Sequence, residues 1–172
     1  YMPAAKDSDI SITVCQVQAL RAARNVGIKV PVGAVDAAIR YVKRSFIRQG
    51  AGSSTGPGGF WYQVYENFPF RPSRTSFALT AAGVTALYGA GIYKGQEIRG
   101  GLRFLFDRRN RPEESDMRST FDYFYGHYYA IQAFFQAGDS GQVAYWSRWY
   151  PRIRDELVRG QQPDGRWKDL VG

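Results

Sequence analysis

Two styles of apolar patterning alternate along this chain. In the first, apolar residues take up most of a helix circumference. Asp9-Ile10-Ser11-Ile12-Thr13 leads to Gln18-Ala19-Leu20 and closes at Gly27. Ser76-Phe77-Ala78-Leu79-Thr80 leads to Thr85-Ala86-Leu87 and closes at Gly91. Tyr123-Phe124-Tyr125-Gly126-His127 leads to Gln132-Ala133-Phe134 and closes at Gly138. Each stretch opens near a Ser, Thr or Asp that can cap free helix N–H groups, and stops at a Gly that tolerates a left-handed backbone. Apolar residues on all sides predict helices buried all round, as inner helices would be. The second style is a single stripe: Val35, Ile39, Val42 and Phe46; then Ile98, Leu102 and Leu105; then Trp149, Ile153 and Leu157. Charged residues such as Asp36, Arg40, Arg44, Arg99, Arg103, Arg152 and Asp155 lie between. One apolar stripe and one charged face predict outer, half-solvated helices. Pro151 sits uneasily inside such a helix and is expected near a helix start or a kink.

The repeating unit is therefore a buried helix, a Gly turn, an amphipathic helix and a loop. Two of the loops are related in kind. Gln161 is followed by Gly165 and Trp167 after the third pair; Gln49, a Gly/Ser stretch (50–58) and then Gly59-Phe60-Trp61 follow the first. The middle loop, Arg109 to Ser119, lacks the Trp. The spacing is 67 residues from Ala19 to Ala86 and 47 from Ala86 to Ala133, which suits a constant helical pair with insertions on one face. No strand alternation is sustained, so the expected fold is all-α. Its organisation is three helical hairpins in one domain over 1–172, with repeats at about 7–61, 73–118 and 119–168.

Gln-x-x-x-Gly-x-Trp after an amphipathic helix resembles the repeat loop of the squalene–hopene cyclase and protein prenyltransferase superfamily. Phe121 to Gly138 and Trp146 to Trp167 look especially like bacterial prenyltransferase/squalene-oxidase repeat proteins, whose role is poorly defined. The resemblance covers most of the chain and implies an α/α toroid with inner and outer helix layers. In the motif, Gln would hydrogen-bond helix termini, Gly would permit the turn and Trp would cover the hairpin base. Toroids of that kind close with more hairpins than the three visible here, so this one would be incomplete. Tyr1-Met2-Pro3 and the segment after Trp167 fall at the same phase of the repeat, as though three units had been taken from a longer array. An open half-ring would expose apolar surface and invite self-association.

Composition narrows the chemistry. The chain of 172 residues carries 44% hydrophobic and 16% aromatic residues, enough for a real core and for ring-lined pockets. Its formal charge of +8 is mostly arginine and scattered (Arg40, Arg44 and Arg48; Arg108, Arg109 and Arg111; Arg148, Arg152 and Arg154), so no specific nucleic-acid patch is indicated. One Cys and one His exclude a disulfide framework, a thiolate zinc cluster and His-rich metal sites. Asp9, Cys15 and His127 do not have the spacing of the prenyltransferase zinc set, and no motif implies a cofactor. No apolar run is long enough for a transmembrane helix.

Asp7-Ser8-Asp9-Ile10-Ser11 is the sharpest catalytic candidate. By the resemblance, Asp7 and Asp9 match the first and central carboxylates of the cyclase Asp-x-Asp-Asp-Thr acid, while Ile10 and Ser11 depart from it. Two close carboxylates can share a proton, whereas an Asp at a helix start also simply caps it. His127 is a candidate base or orienter projecting into the ring cavity, or a side chain bonded to the preceding loop. Tyr123, Tyr125, Tyr128 and Tyr129 are candidate ligand-binding residues on an aromatic inner surface, or core packing between helix layers. Gln49, Gly59, Trp61, Gln161, Gly165 and Trp167 are the structural repeat motif. Two functional expectations follow. One is a binding or scaffold module for a hydrophobic, isoprenoid-like ligand or a protein partner; the other is a terpene cyclase or prenyltransferase-type enzyme.

Overall fold

A computed structural model of the chain describes residues 8–48, 57–64, 74–107, 122–140 and 143–167. These residues are mostly helical with almost no strand, and the fold is all-α. Three helix pairs follow one another: α1 (Ile10–Asn25) with α2 (Val32–Ser45), α3 (Phe77–Gly89) with α4 (Gln96–Phe106), and α5 (Tyr123–Ala137) with α6 (Tyr145–Gly160). Between α5 and α6, the two-residue strands β1 (Asp139–Ser140) and β2 (Val143–Ala144) pair antiparallel. Helix α3 lies at the centre, packed against α1 on one side and α5 on the other, with α2 and α4 also against it.

The centre is buried because its residues are small. Helix α3 reads Phe-Ala-Leu-Thr-Ala-Ala-Gly-Val-Thr-Ala-Leu-Tyr-Gly and is buried from Phe77 through Tyr88. Neighbours approach closely over the short side chains: a Cβ at Gly83 would lie 2.6 Å from the Phe60 ring, and one at Gly126 would lie 3.1 Å from Phe77. Burial all round does not extend to the other two helices of this row. Helix α1 buries only Ile10, Val14 and Val17, and α5 leaves Tyr128 and Phe135 exposed. Besides α3, α1 packs chiefly on α2 and α5 chiefly on α6, so each is covered over only part of its apolar circumference.

Local signals account for the helix boundaries. Asp9 caps α1 by accepting from the Ser11 and Ile12 N–H groups, and Ser76 caps α3 by accepting from Leu79 N–H at 3.2 Å. Helices α1 and α3 end in the same construction. Gly27 and Gly91 adopt φ of +85° and +88°, and the next residue donates five back, Ile28 to Ala23 (3.0 Å) and Ile92 to Leu87 (2.8 Å). Of the expected stripes, Val42, Ile98, Leu102, Leu105, Trp149 and Ile153 are buried, while Arg99 and Arg103 are exposed. Pro151 lies inside α6, in its second turn and exposed, rather than at the helix start. An exposed helix face gives its ring room, and the N–H it lacks would have been paired only with the preceding turn. Behind α5, Phe106, Phe134, Tyr145 and Trp149 form an aromatic core, with Phe134 and Trp149 centroids 4.8 Å apart.

Candidate functional site

The side chains of α1 and α5 meet in front of α3 along a polar seam. Ser11, Cys15 and Gln18 occupy positions i, i+4 and i+7 of α1; Tyr125, Tyr129 and Gln132 occupy the same positions of α5. Cys15 Sγ and the Tyr129 hydroxyl share a hydrogen bond of 3.5 Å, and Gln18 Nε2 donates to Gln132 Oε1 at 2.8 Å. Burial pushes the Tyr125 phenol well up, with Cys15, Asp9 and Asp122 adding to the rise and Ser11 opposing it. Burial likewise raises Tyr129, helped by its bond to Cys15. Both tyrosines are therefore neutral over the physiological range, and the seam presents hydroxyl and amide groups rather than charge.

Below the Gln18–Gln132 bond the seam opens into a groove of about 360 Å³. Gln18, Arg21 and Asn25 form one wall, Tyr128, Gln132 and Phe135 the other, and Tyr88 of α3 the floor. Tyr128 and Phe135 are 59% and 65% exposed, the aromatic surface that α5 leaves uncovered. Arg21 donates from Nη1 to the Tyr88 carbonyl at 3.3 Å. Burial raises the Tyr88 phenol to about 12, so it too stays neutral. A second groove of about 300 Å³ shares Arg21, Asn25 and Gly89 and adds Leu20, Val35 and Tyr93. One aromatic wall facing amides and a guanidinium is the composition of a small-molecule site, and the volumes lie at the lower end of that range.

The structure separates the four candidate tyrosines. Tyr125 and Tyr129 face the seam and Tyr128 the groove, but Tyr123 does not belong to a ligand surface. It is fully buried, and its hydroxyl donates to Glu156 of α6, itself buried. Its position two residues before Tyr125 turns it to the opposite side of the helix. Nor does His127 project toward the seam. Its ring is buried against Tyr123 (4.5 Å), Phe77 (5.2 Å) and Trp149 (5.9 Å), on the face of α5 that meets α3 and α6.

Asp9 is set for capping rather than for acid chemistry. One oxygen accepts from Ser11 N–H (2.7 Å), Ser11 Oγ (2.5 Å) and Ile12 N–H (3.3 Å); the other accepts from the Tyr62 hydroxyl at 2.7 Å. Burial favours the neutral acid, but the bonds from Ser11, Tyr62 and Ile12 together outweigh it and hold the carboxyl below its ordinary value. An acid that protonates an alkene needs the opposite shift. Asp7 lies outside the described residues, as does Gln49 of the first loop. Among the described residues no group of three His, Cys, Asp or Glu side chains is placed to hold a metal ion.

The loop motif has different partners from those expected. Gln161 Nε2 donates to the carbonyl of Gly165 (2.7 Å), within its own loop, and Trp167 Nε1 donates to the Leu157 carbonyl of α6 at 2.7 Å. The indole and the Gln162 amide, which donates to the Gly160 carbonyl at 3.3 Å, satisfy the helix terminus in place of the Gln161 amide, and Gly165 at φ +85° turns the chain back along α6. In the first loop Gly59 and Trp61 pair through their backbones, Ile47 N–H donating to Gly59 O (2.9 Å) and Trp61 N–H to Ser45 O (2.8 Å).

No family model, no curated protein and no solved structure matches this chain. Among the described residues no helix is long and apolar enough to cross a membrane. The residues of the groove that the sequence pattern did not single out include Arg21, Asn25 and Tyr88.

Proposed function

We propose that the protein is a binding module whose α1–α5 groove takes a hydrophobic, isoprenoid-like molecule with a polar head. The observation that carries this reading is the groove itself: exposed Tyr128 and Phe135 rings beside Gln18, Gln132 and Arg21, over a neutral Tyr88 floor. The aromatic wall suits a branched hydrocarbon, and the amides and guanidinium suit a hydroxyl or other acceptor at its end. The three successive helix pairs are compatible with a unit of the α/α-toroid type, resembling the prenyltransferase/squalene-oxidase repeat proteins. The hydrogen bonds that hold Asp9 ionised support a binding role over cyclase-type acid chemistry.

Titration of the 172-residue chain with farnesol and geranylgeraniol, followed by calorimetry, tests the reading. Both alcohols should bind, and Phe135→Ala should weaken them by at least roughly tenfold, since a buried phenyl contributes about 1.5–3 kcal/mol. Phe135 is 65% exposed, so the variant should fold normally. Absence of binding, or binding that Phe135→Ala leaves unchanged, would refute the assignment.

A further inference from the structure

A second site lies on the other side of the molecule. Arg99 and Arg103 stand one turn apart on the exposed face of α4, and Arg48 follows the end of α2. The three line a groove of about 300 Å³ with Phe46, Gly58 and Gly100. Two close approaches bring them together across the intervening sequence. A Cβ at Gly100 would lie 2.7 Å from the Phe46 ring, and one at Gly58 would lie 2.7 Å from the Gly100 carbonyl oxygen. The segment that carries Arg48 is fixed on both sides, since Ile47 N–H donates to Gly59 O (2.9 Å) and Gly58 N–H to Ile47 O (3.0 Å).

Elsewhere on the surface, arginines meet carboxylates: Arg154 with Asp155 and Arg166 with Asp164, each at 2.7 Å. Arg48, Arg99 and Arg103 have no carboxylate partner among the described residues, and Glu97, the acidic residue of the first turn of α4, is buried. The positive field continues toward α6. Arg148 lies 5.6 Å over Phe106, whose ring is 5.3 Å from that of Tyr145. Several guanidiniums around one concavity, without a carboxylate partner among the described residues, repel one another and gain most from an anion with many acceptor oxygens.

We propose that this groove binds a phosphate-bearing ligand, with Arg48, Arg99 and Arg103 clamping adjacent phosphate oxygens. The guanidinium fork matches phosphate bidentately, and three forks call for more than one phosphate-type charge. The same chemistry is offered by a soluble oligophosphate and by the headgroups of an anionic lipid surface.

Inorganic tripolyphosphate in solution and phosphatidylglycerol vesicles, against phosphatidylcholine vesicles, separate the two sources. The variant is Arg99→Gln with Arg103→Gln; the control is Arg40→Gln with Arg152→Gln, exposed arginines that remove the same charge elsewhere. Circular dichroism of both should match the parent. At fixed ionic strength the parent should bind one probe, and the site variant should lose roughly tenfold in affinity per arginine removed, with little change in the control. Response to tripolyphosphate assigns a soluble ligand; response to phosphatidylglycerol vesicles alone assigns a headgroup. Binding of neither probe, or equal weakening in variant and control, would overturn the site.

Discussion

The two aromatic loops, Gly59-Phe60-Trp61 and Gly165-Arg166-Trp167, read as versions of one motif, yet they hold the molecule in different ways. In the first, Phe60 is fully buried, wedged against Gly83 of α3 and 5.4 Å from Phe46, and its N–H donates to Thr80 Oγ1 at 3.3 Å. The loop backbone pairs with the end of α2 as a short bridge. In the last, Trp167 is 42% exposed and latched by its indole N–H to Leu157, beside the Gln161–Gly165 bond and the Arg166–Asp164 pair. One residue makes the difference: the first loop puts a ring directly after its Gly, where α3 and α4 close over it, and the last puts Arg166 there. A shared Gly-x-Trp spacing thus does not fix the path of the loop, since Gly165 has a positive φ and Gly59 does not, and the neighbouring helices decide whether the aromatic residue becomes core.

Removing Phe60 should break the comparison most severely. Phe60→Ala empties the space between Gly83 and Phe46, and a buried Phe truncation costs about 3–5 kcal/mol. Urea denaturation should show a midpoint far below the parent's. A cost under about 1 kcal/mol would mean that the first loop is a latch like the last.

Much of this was legible in the pattern. The stripes of α2, α4 and α6, the caps at Asp9 and Ser76 and the closing glycines Gly27 and Gly91 are local features, set by residues within a few positions of one another. Burial of α1 and the orientation of the α5 rings were not, because they depend on which helices stand beside them. Tyr123 and His127 turn into the core together, whereas Tyr125, between them in sequence, faces the seam. The groove residue Arg21 sits in a helix whose apolar circumference gave no hint of a ligand surface. The Arg48–Arg99–Arg103 cluster escaped notice because Arg48 is far in sequence from the α4 pair and is brought to it by close glycine contacts.

Acid should sharpen the comparison through the residue that follows the first loop. Tyr62 ties that loop to α1: its hydroxyl donates to Asp9, and its carbonyl accepts from Ile10 N–H at 3.1 Å. Asp9 is held below its ordinary value, so its contribution is fully present above about pH 4 and is lost as pH falls through the lowered folded value. Asp9→Asn keeps a capping oxygen and should flatten this part of the stability–pH curve, whereas Asp9→Ala should cost about 0.5–2 kcal/mol at neutral pH. Tyr62→Phe removes one donor to the carboxylate and should move the acid loss to higher pH. Identical acid profiles for parent and Asp9→Asn would show that this carboxylate is not linked to folding.

The smallest effect is expected at the last loop. Trp167→Phe keeps a ring and deletes the indole donor, leaving the Leu157 carbonyl to water. A hydrogen bond of this kind contributes about 0.5–1.5 kcal/mol, and the exposed setting places it at the low end. The change should be local: amide exchange in the last turn of α6 should quicken, while α3 keeps its protection. If α3 amides also lost protection, Trp167 would be part of the cooperative core, and the two loops would be equivalent after all.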